Sequence, residues 1–352
     1  MDLLAHLKSL CAAPGISGHE GRIRDLIRAA WAPLTDEVQV DRLGSLWAIQ
    51  RGTGAAPRPT LMLAAHMDAI GLMVTQVAGE FLRVVAVGGI DARVMPGQPV
   101  TVHARADLPG VVVQPPAFLL PKANREGVVP VTELLVDLGL PAEQVAAQVQ
   151  VGDVISLAQP PRDLAGGLLA ANRLDNRASV AAVTAALDEL RRRAHSWDVA
   201  AVATVQEEVT LGGAITAAFA LNPQLAIALD VTHGAGPAVK EFADRTFPLG
   251  GGPVLGLGPN IHPGVQAALK AAADRLEMDT SLEVMASHSG TDAFGIQVAR
   301  AGFPTMVVSL PLRNMHTPVE IVALKDVQRV GRLLAEFIAG LAPDFIQTLA
   351  WD

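Results

Sequence analysis

The segment "DVAAVATVQEEVTLGGAITAAFALNPQLAIALDV", residues 198–231, combines two apolar runs with a helix-like stretch between them. The runs "DVAAVATVQ" and "PQLAIALDV" are continuously apolar rather than alternating, which is typical of strands buried on both faces of a sheet. The intervening "GGAITAAFA" predicts a helix. A strand, a helix and a second strand in this order predict parallel strands joined by a helical crossover.

This alternation of strands and helices continues on both sides of the segment. Further buried strands are predicted at "TLMLAAH", Thr60 to His66, and at "FPTMVVSLPL". Helices are predicted at "NRASVAAVTAALDELRRR", "HPGVQAALKAAADRLEM" and "VQRVGRLLAEFIAGLA". The predicted fold class is therefore α/β, with a mostly parallel central sheet flanked by helices.

Residues 70–163 have a different sequence pattern. Short β-rich pieces such as "EFLRVVAVGG", "QPVTVHA" and "GDVISLAQPP" alternate with Gly and Pro, and one helical piece, "AEQVAAQV", interrupts them. This pattern predicts a small barrel-like β domain inserted into the chain. Residues 1–69 and 164–352 would then form one discontinuous α/β domain.

Composition excludes several classes of function. The net charge is −8, with 9 Phe, 4 Trp and no Tyr, and no basic run suggests a nucleic-acid partner. No apolar stretch reaches the roughly 18 residues that a membrane-spanning helix needs. The single cysteine, Cys11, excludes an internal disulfide, and "MDLLAHLKSL" is a poor signal peptide, so we expect a cytoplasmic protein.

Acidic and imidazole side chains follow the predicted strands and precede one predicted helix. In open α/β sheets, ligand sites lie beyond the carboxyl ends of the strands. Five separate pieces of chain would therefore bring these side chains to one edge of the sheet. They are His66, Asp68, Asp175, Glu207, Glu208, Asp230 and His316.

Such a cluster indicates bound divalent cations, because converging carboxylates would otherwise repel one another. Two imidazoles and three carboxylates suit Zn²⁺, Co²⁺ or Mn²⁺, and one carboxylate can bridge two ions about 3.5–4 Å apart. A further carboxylate could take a proton from a bridging water. Glu207 and Glu208, on a strand-like backbone, would point to different sides and could divide these tasks.

Several stretches resemble the tetrahedral aminopeptidase family of zinc- or cobalt-dependent glutamyl, leucyl and deblocking aminopeptidases, some of which carry an endoglucanase label. The matching stretches run in one order from about residue 10 to about residue 335. They are "PGISGHE", "AHMDAIGLMV", "LLVDLG", "VGDVISL", "LDNRASVAAV", "VQEEVTLGGA", "ALDV" and "GTDAFGIQVARAGFPTMVVSLPLRNMHTPVE". The resemblance implies a zinc-exopeptidase-like α/β domain and a metal-dependent aminopeptidase.

The resemblance also implies a ligand set for two divalent ions, Zn²⁺ or Co²⁺ first and Mn²⁺ as a further choice. His66 and Asp230 would hold one ion, and Glu208 and His316 the other. Asp175 would bridge the two ions.

Four further implications concern catalysis, backbone conformation and assembly. Glu207 would be the general base, and Asp68 would orient His66, as carboxylates do for metal-bound imidazoles. A cis peptide bond is implied between Asp175 and Asn176. The insert would mediate dimers, which would assemble into a hollow tetrahedral dodecamer that admits peptide substrates.

The sequence departs from the family pattern at Ala69, Thr210, Gly212, His288 and Ser289. None of these positions is a predicted ligand, so the departures bear on the preferred N-terminal residue and on subunit contacts.

Other functions remain open at this point. A dipeptidase, a carboxypeptidase or an N-acyl amino acid deacylase could use the same two-metal scaffold. A glycosidase using Glu207 and Glu208 is disfavoured, because its two acids must flank one bond roughly 5–9 Å apart. A non-catalytic binding protein is disfavoured because no predicted ligand or base is missing.

Overall fold

The computed structural model describes residues 1–120, 122, 127–236 and 245–351. Its strands form two assemblies, an 11-stranded sheet and a closed barrel of six strands. Helices flank the sheet, so the predicted α/β class with a barrel-like β unit is confirmed. Within the described ranges, no helix combines the length and apolar character needed to cross a membrane.

The helices lie at the chain ends and between the strands. They are α1 (Leu3–Ala12), α2 (Gly21–Trp31), α3 (Ala142–Gln148), α4 (Leu174–Leu190), α5 (Glu207–Thr210), α6 (Gly212–Leu221), α7 (Pro263–Arg275), α8 (Asp292–Gln297) and α9 (Leu324–Ala339). The strands are β1 (Glu37–Val40), β2 (Leu46–Gln50), β3 (Thr60–His66), β4 (Gly71–Ala78), β5 (Phe81–Val87), β6 (Pro99–His103), β7 (Asp107–Val113), β8 (Leu135–Asp137), β9 (Val154–Leu157), β10 (Arg162–Leu164), β11 (Leu168–Ala171), β12 (Asp198–Thr204), β13 (Leu225–His233), β14 (Val254–Leu257), β15 (Ser281–Val284), β16 (Thr305–Arg313) and β17 (Glu320–Ala323).

The large sheet is parallel at its centre and between β14 and β15, and antiparallel elsewhere. Its main strand order is β1-β2-β12-β3-β13-β16-β17-β11-β10, with β14 and β15 branching from β16. The four strands β12, β3, β13 and β16 run parallel, whereas β2 and β17 join them antiparallel. Antiparallel pairing is therefore more extensive than predicted, because short connections such as that between β1 and β2 can only form hairpins.

Small apolar residues let the helices pack closely on the central strands. Every residue of β12 is buried, as are the last six of β3. Helix α4 packs on β3, β13 and β16 with α1 and α9 beside it, and α6 and α8 pack on each other. The carboxyl ends of the parallel strands are thereby held at one edge, where a site can form.

The barrel has a hydrophobic core of its own. The six strands β4 to β9 close in the order β4-β5-β8-β7-β6-β9. Their inward side chains, among them Leu72, Leu82, Val102 and Val136, form a cluster separate from that of the sheet. The limits of the insert, residues 70 and 163, stay a prediction; β10, at its end, pairs in the large sheet.

Asp198 ties the start of β12 to a neighbouring loop by charge. Its carboxylate is nearly buried and accepts hydrogen bonds from Arg51 Nη1 (2.9 Å), Arg58 Nε (2.6 Å) and the Gly52 backbone N–H (2.8 Å). Burial acts to raise the pKa of Asp198, but these donors outweigh it and hold the pKa below its usual value.

We expect Asp198→Asn to lower the free energy of unfolding by about 1–3 kcal/mol at neutral pH, because it removes the charge that strengthens three hydrogen bonds to a nearly buried side chain. The stabilisation from a lowered carboxylate pKa is complete above the unfolded-state value of about 4 and is lost as pH falls through the folded-state value. The difference in urea midpoint between wild type and variant should therefore shrink from pH 7 toward pH 3. Asp25→Asn, at an exposed site on α2, is the matched control. If the difference in urea midpoint between wild type and Asp198→Asn did not change with pH, the stabilising role of the charged Asp198 carboxylate would be contradicted.

Candidate metal centre

Four neighbouring strands deliver polar side chains to the same edge of the sheet. Strand β3 ends at His66, and the register places Thr204, the last residue of β12, beside it. Ala228 of β13 pairs with Ala64, so Asp230 lies two residues farther along, level with the end of β3. His316 follows the end of β16 by three residues. The sheet edge proposed from the sequence therefore exists.

Asp175 enters this edge from the start of α4. The Asp175–Asn176 peptide bond is cis, as the resemblance implied. The Asn176 side chain donates to the Leu229 carbonyl (2.8 Å), and the Asp175 backbone N–H donates to Glu320 Oε2 (3.1 Å). These bonds fix the bridging candidate against β13 and β17.

Asp175 lies between the two imidazoles. Its Oδ1 is 3.1 Å from His66 Nε2, and its Oδ2 is 3.3 Å from His316 Nε2. His66 Nε2 is also 3.8 Å from Asp230 Oδ1, and His316 Nε2 is 3.5 Å from Glu208 Oε2. His316 thus faces Glu208 and one oxygen of the shared Asp175, whereas His66 faces the other Asp175 oxygen and two further carboxylates, Asp230 and Glu207.

Glu207 and Glu208 do not lie on a strand-like backbone, so that expectation was wrong. They open the one-turn helix α5, which the chain enters through Gln206 with a φ of 58°. Their directions differ by the roughly 100° that separates neighbours on a helix. Glu207 Oε2 lies 3.8 Å from His66 Nε2, whereas Glu208 faces His316. The two side chains therefore point to different parts of the site because they are neighbours on a helix.

Asp68 contacts more of the site than His66 alone. Its Oδ1 is 3.5 Å from His66 Nδ1, and the same imidazole nitrogen is 3.2 Å from the Asp68 carbonyl oxygen. Its carboxylate also accepts from Ser17 Oγ (2.6 Å) and from the backbone N–H groups of Glu207 (3.0 Å) and Glu208 (3.2 Å). Asp68 thus orients both an imidazole and the short helix that carries the glutamates.

Crowded carboxylates perturb the protonation of the site. Burial raises the pKa of Glu207 to about 10 and that of Glu208 to about 7, with neighbouring acids adding to the rise and His66 opposing it. Burial also raises the pKa of Asp230. Burial acts in the same direction on Asp175, but hydrogen bonds from both imidazoles hold its pKa well below the usual value. The raised pKa values reflect a repulsion between buried carboxylates that bound cations would relieve.

The donor set fits divalent cations. Ligand atoms of His66, Glu207 and Asp230 lie within 4.8 Å of one another, as do those of His66, Asp175 and Glu208. Asp175 Oδ1 is buried, and apart from His66 Nε2 at 3.1 Å it has no hydrogen-bond partner within the described ranges. Mixed imidazole and carboxylate ligands suit borderline ions such as Zn²⁺.

Two further buried acids were not singled out from the sequence. Glu320 accepts from the backbone N–H groups of Asp175 (3.1 Å) and His316 (3.0 Å), joining two of the predicted ligands. Asp292, at the start of α8, accepts from Thr204 Oγ1 at 2.5 Å. Both lie in the stretches "HTPVE" and "GTDAF", which gave the only sequence signal for them.

The metal centre opens into a pocket of about 540 Å³. Besides the predicted ligands and Glu207, the pocket is lined by apolar and polar side chains. They include Leu211, Val231, Thr232, Glu283, Phe294 and Met315. His288 and Ser289, two departures from the family pattern, also line this pocket.

Comparisons with known proteins agree in matching the chain to aminopeptidases. The profile of the M42 glutamyl aminopeptidase family matches residues 44–333. The chain is 33% identical to a lysyl aminopeptidase of Pyrococcus furiosus, over 96% of this chain and 97% of that protein.

Solved structures share the fold over almost the whole chain. A TET aminopeptidase from a marine-sediment Thaumarchaeota archaeon superimposes with a TM-score of 0.92 at 29% identity, covering 98% of each chain. The Pyrococcus horikoshii TET1 peptidase does so with a TM-score of 0.83 at 28% identity, over 97% of this chain and 100% of that one. The chain therefore belongs to the M42 glutamyl aminopeptidase family and is a metal-dependent aminopeptidase.

Proposed function

We propose that the chain removes N-terminal residues from peptides with two divalent ions per subunit. His66 and Asp230 would hold one ion, Glu208 and His316 the other, and Asp175 would bridge them. The position of Asp175 carries this proposal, because its two oxygens lie 3.1 Å and 3.3 Å from two different imidazoles. A carboxylate that only paired with one histidine would not need both oxygens oriented in this way.

Glu207 is the proposed general base. The bound ions would lower the pKa of a water molecule and polarise the scissile carbonyl. Glu207 would accept the proton of that water and pass it to the leaving amine. Its backbone N–H is held by Asp68 (3.0 Å), so the carboxylate would keep its place as the proton moves.

The ligand types support Zn²⁺ or Co²⁺, with Mn²⁺ as a third choice. Two imidazoles and three carboxylates form a borderline donor set that favours these ions over Mg²⁺ or Ca²⁺, which prefer oxygen ligands alone. Peptides are the proposed substrates, as the names of the related aminopeptidases suggest.

Assembly into dimers through residues 70–163, and of dimers into a dodecamer, is also proposed. The P. horikoshii relative assembles into a tetrahedron or a large octahedral shell. Barrel side chains such as Val85 and Val111 are exposed, as an interface would require. The cytoplasmic location and the domain limits stay predictions from the sequence.

Metal analysis joined to a substrate panel tests the proposal. After removal of metal and reloading with Zn²⁺, Co²⁺ or Mn²⁺, we expect about two ions per subunit and hydrolysis of aminoacyl p-nitroanilides. N-acetylated versions of the same substrates should resist cleavage. Preference for the acetylated substrates would favour a deacylase, and activity that survives complete metal removal would contradict the metal-centred mechanism.

A further inference from the structure

Among the described residues that line the pocket, Glu283 is the one carboxylate that the proposed mechanism does not use. Glu283 lies on β15, and its Oε1 accepts a hydrogen bond from Thr232 Oγ1 at 2.8 Å. Its Oε2 is buried and lacks a hydrogen-bond partner among the described residues. A buried carboxylate oxygen without a donor is costly, so a ligand that supplies a donor at this point of the pocket would be favoured.

Glu283 contacts β13, the strand that also carries the proposed ligand Asp230. Thr232 lies two residues beyond Asp230 on β13, and residues two apart on a strand point to the same face. Two residues advance the strand by about 6.6 Å, which is comparable to the reach of an extended lysine side chain. A substrate anchored at the metal ions could therefore extend its first side chain toward Glu283.

The pocket that contains Glu283 also has apolar lining residues. Its lining includes Leu211, Phe294 and Met315 alongside polar residues such as His288. Such walls suit the aliphatic part of a long basic side chain, whose charged end requires a polar contact. Among the described lining residues there is no lysine or arginine that could neutralise Glu283.

Burial disfavours the charged form of Glu283. It raises the pKa of this carboxyl, while the Thr232 hydrogen bond and the nearby His233 imidazole oppose the rise. A bound ammonium or guanidinium group would supply the donors that Oε2 lacks and would compensate for its desolvation.

We propose that Glu283 selects substrates whose N-terminal residue is cationic, lysine or arginine, by binding the end of that side chain with its free Oε2. This inference rests on the proposed aminopeptidase function and adds the substrate class to it. Glu283 is a specificity-determining residue and takes no part in bond cleavage.

The test compares two substrates that differ chiefly in the terminal amine, lysyl- and norleucyl-p-nitroanilide, with the metal-loaded enzyme. We expect kcat/KM for the lysyl substrate to exceed that for the norleucyl substrate by at least about tenfold. Glu283→Gln keeps the size of the side chain and an acceptor for Thr232. It should reduce this ratio to near one, and the loss should fall on the lysyl substrate.

Turnover of the norleucyl substrate reports whether Glu283→Gln is folded and loaded with metal. Glu80→Gln, at an exposed turn of the barrel, is the matched control and should leave both substrates unchanged. A wild-type ratio near one, an unchanged ratio in Glu283→Gln, or an equal loss on both substrates would overturn the inference while leaving the aminopeptidase function intact. If the metal-loaded enzyme cleaves neither substrate but cleaves a glutamyl or leucyl p-nitroanilide, this inference fails alone; if it cleaves none of these substrates, the proposed function fails with it.

Discussion

Glu207→Gln is expected to lower kcat by about 10²–10⁴-fold while both metal ions remain bound. The amide has nearly the shape of the carboxylate but cannot accept the proton of the attacking water. The predicted ligands do not include Glu207, so the metal content should stay near that of wild type. The measurements are kcat on an aminoacyl p-nitroanilide and metal per subunit after gel filtration.

Glu208→Gln is the informative comparison, because it changes the neighbouring residue in the same way. Glu208 faces His316 at 3.5 Å and is a proposed ligand, so this variant should lose metal as well as activity. Near-normal turnover by Glu207→Gln would exclude Glu207 as the base. Loss of metal from Glu207→Gln would instead place it among the ligands, as its closeness to His66 and Asp230 would permit.

Asp175→Asn should weaken binding of both ions, by at least about 100-fold, and abolish measurable turnover. Among the described residues, Asp175 is the one carboxylate within 4 Å of both imidazoles, and this single change removes its charge. His66→Ala, in contrast, should chiefly affect the ion that His66 shares with Asp230. Calorimetric titration with Zn²⁺ distinguishes weaker binding at both metal sites from weaker binding at one.

The folded state of Asp175→Asn must be checked by circular dichroism, because Asp175 is buried and its backbone N–H is bound to Glu320 (3.1 Å). Asp344→Asn, near the carboxyl end of the chain, provides a control for the same chemical change at another site. A folded Asp175→Asn that binds two ions with unchanged affinity would exclude the bridging role.

The sequence was most informative where hydrophobic pattern and strand ends coincide. The strand predicted at Thr60 to His66 has those bounds in the structure. Because parallel strands end at one edge, the side chains after them could be assigned to one site before any coordinates were known. His66 and Asp230 illustrate this, lying 3.8 Å apart although 164 residues separate them in the chain.

Local backbone geometry was harder to predict. The left-handed conformation of Gln206 turns the chain into a short helix, and no glycine or asparagine marks that turn. Glu320 and Asp292 were missed because a single acid carries no periodic signal. Their importance lies in contacts with residues far away in the sequence, such as the bond from the Asp175 N–H to Glu320.

Glu283 was missed for a similar reason. On β15 it alternates with exposed neighbours and has the pattern of an ordinary half-buried strand. Only the structure, through the Thr232 hydrogen bond and the pocket lining, shows that one Glu283 oxygen is buried in the pocket without a donor among the described residues.

Anomalous scattering from crystals grown with Zn²⁺ or Co²⁺ tests the central claim most directly. We expect two peaks per subunit, about 3.5–4 Å apart, with Asp175 between them. One peak should be bound by His66 and Asp230, and the other by Glu208 and His316. A folded, metal-saturated crystal with no peak among these side chains would contradict the account.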